Sequence, residues 1–372
     1  MEIIKVLQCL PAISSGGAEK QLRNLIINNP YSHIHNSVLA WKSGEYYEEY
    51  RRNGIDVFLV NELRKYPILC LWQIIRIINK TKPDIIHSWS PQTDIILGLL
   101  GKIFGVIVIC SERSSSFLYE DNTAYKGKWF TILRPWILTN CASALVTNSI
   151  EGKKYLIKIL KKEIPIFVIK NGIVLHQFDI ERAYTKEDLK LQNFPTIITV
   201  SRLEIYKRIN LIIEAIAYLG KSGRYLNLIV CGDGPEKKNL EHLARELKVE
   251  ERIYFLGFRS DVISILKSAD FFCSASIVEG SPNAMLEAMA CKLPIIASDI
   301  DAHKDLFSNH EIGFVFKTDS FESLVEKITL LLDNPKVLQM KMNSYNLASS
   351  FSVVNMCVSY KELYESFSKN QK

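Results

Sequence analysis

The alternation of strand-like and helix-like segments constrains the fold of this 372-residue chain more than any other feature of its sequence. A first series of short β-branched runs, each followed by a segment of helical period, extends from Ile3 to the turn at Asn171-Gly172. A second series extends from Thr196 to Phe316. Such alternation is typical of mainly parallel, doubly wound sheets, which bind ligands at the carboxyl ends of their strands. We therefore predict an α/β protein of two Rossmann-like domains that face a central cleft.

The domain boundaries are predicted from the places where the alternation stops. Residues 1–178 form the first domain, and residues 196–352 form the second. The segment 179–195 between them is polar and mixed in composition, which predicts a linker. The last helix-like segment, within 353–372, is expected to return to the first domain and complete it. Two domains of roughly 180 residues also suit a chain that is longer than one hydrophobic core usually supports.

The positive charge of the chain is concentrated in its first half. Residues 1–185 contain 23 Lys and Arg against 16 Asp and Glu, whereas the remaining residues contain 23 against 24. This asymmetry predicts an anionic partner for the first domain: an acidic membrane surface, a phosphate-bearing acceptor or nucleic acid. Because no nucleic-acid-binding motif accompanies the charge, we do not expect nucleic acid.

Cysteine spacing and hydropathy predict a cytoplasmic protein. The eight cysteines lie far apart and include no C-x-x-C pair, as expected of reduced thiols in a cytosolic core. The start of the chain shows no signal-peptide pattern. The longest apolar stretch, Ile95 to Cys110, is interrupted by Lys102 and is shorter than the ~20 residues that cross a bilayer. Any membrane contact is therefore expected to be peripheral.

The segment 276–291, SIVEGSPNAMLEAMAC, is the most informative local sequence. Its pattern predicts a strand end, a loop and then a helix with Ser281 as the N-cap and Pro282 at the first helical position. The free amides of Asn283 and Ala284 would then point out of the helix, where the helix dipole favours a phosphate.

Charged side chains accompany this predicted phosphate site. Glu279 lies in the loop, and Glu287 is expected to lean back towards it because helical side chains tilt towards the N-terminus. Arg202 and Lys207 follow another predicted strand, and both could contact one diphosphate. The alternatives are two solvated glutamates on an ordinary strand-loop-helix and two surface cations at a helix start.

Glu279 and Glu287 match the E-x7-E motif of the family 4 retaining glycosyltransferases, and the whole chain resembles that family. Five further segments follow the family pattern in the expected order: Gly16-Gly17-Ala18-Glu19 for G-G-x-E, Ser201-Arg202-Leu203 with Lys207 for R-L-x-x-x-K, Gly232-Asp233-Gly234-Pro235 for G-D-G-P, Phe255-Leu256-Gly257 for F-L-G, and Glu287-Ala288-Met289-Ala290-Cys291 with Leu293-Pro294 for E-A-M-A-x-G-x-P. The resemblance implies the GT-B fold, with an acceptor domain followed by a nucleotide-sugar-binding domain.

The resemblance also implies roles for individual residues. Arg202 and Lys207 would neutralise the leaving nucleoside diphosphate, Glu279 would contact the transferred sugar, and Glu287 would contact the ribose. The expected substrate-binding positions are Gly16, Gly17, Gly232, Gly257, Phe258, Ser281, Asn283, Ala284 and Glu287. No metal ion and no other cofactor is expected. For Gly16-Gly17 and for Gly232 a purely structural turn is the alternative.

His87 is a further candidate for the catalytic group. It closes an apolar strand, which predicts that it points into the cleft. Many relatives carry a second histidine shortly after it, where this chain has Trp89 and Gln92. A hydrogen-bonded histidine at a strand end is the alternative.

The implied activity is a retaining glycosyltransferase of the hexosyltransferase type. The donor is expected to be a nucleotide-sugar, a UDP-sugar before a GDP-sugar, and the acceptor a glycan or lipid-linked glycan of bacterial surface polysaccharide synthesis. The alternatives are a nucleotide-sugar epimerase and a catalytically silent nucleotide-binding protein. Two basic segments with apolar anchors, 126–137 and 152–162, predict contact with an anionic membrane, although a solvated basic helix has the same pattern.

Overall fold

A computed structural model describes residues 2–63, 65–113, 128–308 and 310–368 of the chain. The chain divides into two compact units. The first comprises Met1–Gly172 and Val353–Lys372, and the second comprises Ile173–Ser352. None of the described helices is long and apolar enough to cross a membrane.

The first unit contains, within its described residues, a sheet of seven parallel strands in the order β3-β2-β1-β4-β5-β6-β7. The strands are β1 (Ile4–Ala12), β2 (Ile34–Lys42), β3 (Asp56–Leu59), β4 (Ile85–Ser88), β5 (Ile107–Glu112), β6 (Ala144–Thr147) and β7 (Ile166–Val168). The helices are α1 (Gly17–Ile27), α2 (Tyr47–Arg52), α3 (Pro67–Thr81), α4 (Pro91–Phe104), α5 (Lys128–Cys141), α6 (Ile150–Ile159) and, from the end of the chain, α15 (Val353–Ser368). The central strands are buried on both faces, as their continuous apolar runs require.

Helix α15 packs on the first unit through buried aromatic side chains. Tyr360 and Tyr364 are almost completely buried. The Tyr364 hydroxyl accepts a hydrogen bond from Gln8 Nε2 at 3.1 Å, and Cys357 Sγ lies 3.8 Å from the carbonyl oxygen of Leu25. The end of the chain therefore supplies part of the core of the first unit.

The second unit contains, within its described residues, a parallel sheet of six strands in the order β10-β9-β8-β11-β12-β13. The strands are β8 (Thr196–Val200), β9 (Asn227–Cys231), β10 (Ile253–Gly257), β11 (Phe271–Ser274), β12 (Ile295–Ser298) and β13 (Gly313–Phe316). The helices are α7 (Leu175–Ile180), α8 (Ile209–Lys221), α9 (Lys237–Glu246), α10 (Val262–Leu266), α11 (Asn283–Ala290), α12 (Asp301–Phe307), α13 (Phe321–Leu332) and α14 (Val337–Ser350).

The segment expected as a linker, 179–195, is folded onto the second unit. Leu189 and Leu191 pack against its core, and the Tyr184 hydroxyl donates a hydrogen bond to Asp261 Oδ2 at 2.6 Å. The division between the units falls after Gly172 and not at residue 178. The sequence pattern did not predict these contacts, because only a few apolar side chains make them and the rest of the segment is polar.

Each sheet has one place where the strand order reverses. In the first unit the order reverses between β1 and β4, and in the second between β8 and β11. The loops that leave such a pair of strands run in opposite directions and open a crevice at the carboxyl ends, where doubly wound sheets bind their ligands. Some candidate residues follow these strands: Gly16 and Gly17 come after β1, Lys207 after β8 and Glu279 after β11.

Candidate active site

An ion pair lies at the strand reversal of the second unit. Lys207 ends the 3-10 turn Ile205–Lys207 that follows β8, and Glu279 lies in the loop that follows β11. Lys207 Nζ is 2.5 Å from Glu279 Oε1, and the two side chains are 14% and 17% exposed. The fold thus joins two predicted catalytic residues that are separated by 72 positions in the sequence.

The environment of Glu279 keeps its carboxyl group ionised. Burial by itself raises the pKa of Glu279, but the charge of Lys207 and the hydrogen bonds from Lys207 and Ser276 outweigh it, so that the pKa is lowered. Ser276 Oγ donates to Glu279 Oε1 at 2.8 Å. At neutral pH the site therefore presents a fixed carboxylate beside a fixed ammonium group.

His303 and Ser298 support this pair, and sequence reasoning missed both. Ser298 Oγ donates to the carbonyl oxygen of Ser276 at 2.5 Å, and His303 Nδ1 lies 3.0 Å from Ser298 Oγ. Because the Ser298 proton is used in this way, Nδ1 must carry the ring proton of His303, and no described residue makes a hydrogen bond with Nε2. A histidine just after the carboxyl end of β12 was the available sequence signal.

Arg202 is not part of this cluster. Its side chain is 73% exposed, and its Nε lies 3.0 Å from Glu204 Oε1. The structure therefore brings Lys207 to Glu279 but leaves Arg202 in solvent. It remains a prediction that Arg202 and Lys207 both contact one diphosphate when the ligand is bound.

The start of α11 differs by one residue from the predicted helix start. The helix begins at Asn283 with Pro282 in the N-cap position, and Ser281 makes no side-chain cap. The amide of Asn283 donates to the carbonyl oxygen of Ser281 at 2.9 Å, so this N–H is already paired. Among the described residues the Ala284 amide has no hydrogen-bond partner. Of the two amides that were expected to be free, only that of Ala284 is therefore free. Glu287 lies in the same helix and is buried.

The predicted glycines of the second unit occupy loops at the same sheet edge. Gly232 follows β9 with φ of +137°, and its amide donates to the carbonyl oxygen of Gly257 at 2.8 Å. Gly257 ends β10 with φ of +66°. Phe258, the next residue, is 63% exposed. The positive φ angles thus explain why glycine occupies both positions. The exposed ring of Phe258 is free to contact a ligand.

The G-G-x-E segment of the first unit forms the start of α1. Gly16 is the N-cap and Glu19 is the third helical residue, the position from which a glutamate reaches back to the cap. A Cβ added at Gly16 would lie 2.3 Å from Glu19 Oε2, so the glycine leaves room for that carboxylate. Burial, as the largest effect, raises the pKa of Glu19. The Glu19 carboxylate therefore occupies the space that a side chain at Gly16 would fill.

His87 lies in the core of the first unit. It is completely buried, with Nδ1 2.8 Å from the Tyr364 hydroxyl and Nε2 2.8 Å from Ser111 Oγ. Burial, and after it the charge of Arg113, lowers its pKa to about 3. Because both ring nitrogens are occupied, the structure corresponds to the alternative of a hydrogen-bonded strand-end histidine and not to a group that points towards substrate.

Among the described residues, no group of three or more His, Cys, Asp or Glu side chains is arranged to hold a metal ion.

Two family models match nearly the whole chain. The model described as "Glycosyltransferase Family 4" matches residues 15–177, and the model described as "Glycosyl transferases group 1" matches residues 181–347. This chain is a family 4 glycosyltransferase. The two matches divide the glycosyltransferase close to the boundary between its two units.

Characterised relatives are also glycosyltransferases. The UDP-Gal:alpha-D-GlcNAc-diphosphoundecaprenol alpha-1,3-galactosyltransferase of Escherichia coli is 27% identical over 308 residues, which cover 79% of this chain and 78% of the relative. The N-acetylgalactosamine-N,N'-diacetylbacillosaminyl-diphospho-undecaprenol 4-alpha-N-acetylgalactosaminyltransferase of Campylobacter jejuni is 27% identical over 249 residues, 65% of each chain. These relatives favour the transferase interpretation of the sequence over the epimerase and the silent binding protein.

The fold of this glycosyltransferase is found in solved structures. The crystal structure of Anabaena HepE in complex with UDP-glucose superposes with a TM-score of 0.84 at 20% identity and covers 98% of this chain and all of that chain. The prediction of two Rossmann-like domains of the GT-B type is confirmed.

Proposed function

We propose that this glycosyltransferase moves a sugar from a UDP-sugar to a lipid-linked acceptor in surface glycan synthesis and retains the configuration at the anomeric carbon. A GDP-sugar is the second candidate for the donor. The observation that carries the proposal is the Lys207–Glu279 pair at the strand reversal of the second unit. It places an ammonium group and a carboxylate where a doubly wound sheet binds its ligand.

Lys207 is proposed to stabilise the leaving diphosphate. Negative charge increases on the phosphate oxygens as the bond to the sugar breaks, and a preorganised cation in a partly buried position opposes that charge without reorganisation. Glu279 fixes the ammonium group in the absence of ligand. Upon binding, its carboxylate is proposed to contact the hydroxyl groups or the cationic centre of the transferred sugar. The reaction as proposed requires no metal ion.

The proposal for the acceptor rests on the positive charge of the first unit and on the names of the relatives. The E. coli and C. jejuni relatives are named for acceptors linked to diphosphoundecaprenol, a membrane lipid. The first unit carries the excess of positive charge. On α6, Ile157 is 58% exposed beside the exposed Lys158, as expected for a segment that contacts an anionic surface. We therefore propose peripheral association with the inner membrane face.

The donor site is tested by nucleotide binding and turnover. Unfolding temperatures are measured with UDP, GDP, ADP and dTDP for the wild type and for Lys207→Met. A nucleotide at about 100 times its dissociation constant should stabilise the wild type by about 2.7 kcal/mol. Lys207→Met should lose most of this shift and, if the cation acts like an oxyanion-hole donor, about 100-fold or more in turnover. The matched control is Lys327→Met, which also removes a lysine paired with a glutamate in the second unit.

Two results would contradict the proposal. One is near-normal turnover in Lys207→Met, which would show that the Lys207 ammonium group does not take part in the reaction. The other concerns stereochemistry: NMR analysis of the product should show the anomeric configuration of the donor, and an inverted linkage would exclude a retaining mechanism.

A further inference from the structure

A pocket of about 450 Å³ lies in the first unit at the strand reversal between β1 and β4. It is lined by the end of β1, the first residues of α1 and α4, and Trp89, Gln92 and Arg113. We call it the β1/β4 pocket. Its position corresponds to that of the Lys207–Glu279 pair in the second unit, since each lies where its own sheet reverses strand order.

Arg113 is the cation of this pocket, and its guanidinium is held in place on three sides. Nη1 donates to the Tyr360 hydroxyl at 3.0 Å, and Nη2 donates to Asn171 Oδ1 at 2.6 Å. Cζ lies 4.8 Å from the centre of the Trp89 ring, and Trp89 is fixed by a hydrogen bond from Nε1 to Gln8 Oε1 at 2.7 Å. The side chain is therefore oriented before any ligand binds.

The charge of Arg113 is not neutralised within the described part of the chain. Its hydrogen-bond partners are a phenol and an amide, it makes no ion pair with a described residue, and its Nε is buried without a partner. The pocket's acidic residue, Glu19, turns back over Gly16 at the start of α1. A partly buried, immobilised and unpaired cation is costly unless an anion binds beside it.

The N-terminus of α4 adds to the positive potential of the pocket. This helix has 14 residues, and its N-cap Ser90 and its residues Pro91 and Gln92 line the pocket. Its dipole favours an anion at that end. The two positions at which this chain lacks the histidines of many relatives, Trp89 and Gln92, thus lie in the pocket, where Trp89 supports the arginine.

We propose that the β1/β4 pocket binds a phosphate group of a substrate and that Arg113 is the residue that binds it. The guanidinium fork suits phosphate oxygens, and the pocket is large enough for a diphosphate. The inference rests on the proposed function for the source of the phosphate, which is either the diphosphate of a lipid-linked acceptor or that of the donor. It also gives α15 a part in this pocket, because Tyr360 of that helix holds Arg113.

The test is a calorimetric titration of two ligands, geranyl diphosphate and UDP, into the wild type and variants. Geraniol, which lacks phosphate, is the ligand control. Arg113→Gln removes the cation, and Lys207→Met is the corresponding change in the second unit. Because Arg113→Gln could disturb the contacts of Tyr360 and Trp89, a matched pair at the exposed Gln92 changes only the charge of the pocket: Gln92→Glu and Gln92→Lys.

Geranyl diphosphate should bind the wild type about tenfold or more tightly than it binds Arg113→Gln, as expected for loss of a charge-assisted contact. Gln92→Glu should weaken its binding and Gln92→Lys should strengthen it. If UDP binding responds only to Lys207→Met, the phosphate belongs to the acceptor. If UDP binding also weakens with Arg113→Gln and Gln92→Glu, the phosphate belongs to the donor.

The inference is overturned if neither ligand responds to the changes at Arg113 and Gln92, including the case in which geranyl diphosphate does not bind the wild type. Loss of UDP binding in Lys207→Met would still support the proposed donor site in that case. Absence of UDP binding to the wild type would instead count against the proposed function.

Discussion

Each unit contains a completely buried histidine beside its candidate ligand-binding region. His87 in the first unit makes hydrogen bonds with both ring nitrogens, and His303 in the second makes them only with Nδ1. Burial, as the largest effect, lowers the pKa of His303 from its ordinary value of 6.5 to about 4, although the nearby Glu279 acts in the opposite direction. His303 is therefore neutral at pH 7, and its protonation opposes folding.

His303 should make the second unit less stable in acid. The folded state binds the proton less tightly than the unfolded chain, so the unfolded state holds more protons between pH 6.5 and 4. Stability from this source is present above pH 6.5 and is lost as the pH falls to 4, by about 3 kcal/mol from the shift in pKa. His303→Asn keeps a donor for Ser298 but cannot be protonated. Its unfolding temperature should therefore fall less between pH 7 and pH 4.5 than that of the wild type.

The control for this prediction is His242→Asn, which removes an exposed histidine from the same unit. It should leave the pH profile of the unfolding temperature unchanged. Parallel profiles for the wild type and His303→Asn would contradict a neutral buried imidazole.

The residues that sequence reasoning identified and those that it missed differ in what makes them important. Lys207 and Glu279 follow strands within a recognisable pattern of residues, so their proximity could be predicted. Arg113 depends on Tyr360, which is 247 positions away. Such a side chain acquires its role from long-range packing, which a local pattern does not contain. For the same reason the sequence could not decide between the two interpretations of His87, because its partner Tyr364 comes from the last helix.

At the scale of elements, the loops after β8, β9 and β10 are joined by backbone hydrogen bonds. The amide of Ser201 donates to the carbonyl oxygen of Cys231, and that of Gly232 donates to Gly257. A Cβ at Gly232 would lie 1.8 Å from the carbonyl oxygen of Ser201. The close approach of these loops, which carry predicted substrate-binding residues, thus depends on the absence of a side chain.

Gly232→Ala and Gly257→Ala should therefore have unequal effects. Gly232 combines a backbone conformation that alanine rarely adopts with a steric clash, so its substitution should cost about 3 kcal/mol or more. Gly257 is also left-handed but has open space around its Cβ position, so its substitution should cost only about 1 kcal/mol. Thermal unfolding of the two variants measures the difference. Equal destabilisation would show that backbone conformation alone, and not the contact with Ser201, accounts for Gly232.

The order of strands and helices could be predicted from periodicity, whereas their exact ends could not. Helix α11 begins one residue later than expected because the Asn283 amide pairs with Ser281, a detail of backbone geometry. The segment 179–195 appeared to be a linker because its few apolar side chains are separated by polar residues. Parallel pairing between strands that are far apart in sequence was predictable, since alternation with helices leaves few other arrangements.

At the scale of the whole molecule, positive charge and exposed apolar side chains occur together on the first unit. Helix α6 is anchored by the buried Leu156 and exposes Ile157 and Lys158. A hollow of about 750 Å³ next to it is lined by Ile157, Lys161 and Lys162, among others. Trp136 of α5 is 46% exposed, while Lys126 and the side chains of Trp129 and Phe130, which belong to the same predicted basic segment, lie outside the described residues.

Reversing the charge of this region should weaken binding to anionic membranes. Each lysine near an anionic surface contributes about 1 kcal/mol, so Lys158→Glu, Lys161→Glu and Lys162→Glu together should reduce vesicle binding by more than about tenfold. Cosedimentation with phosphatidylglycerol-containing vesicles and with purely zwitterionic vesicles measures this. Because the attraction is electrostatic, the difference between wild type and variant should shrink as salt is raised.

The control reverses three exposed lysines of the second unit, Lys221, Lys238 and Lys248. If that variant loses as much binding as the first, net charge and not this surface determines the association. If neither variant loses binding, the lysines of this region do not determine membrane association.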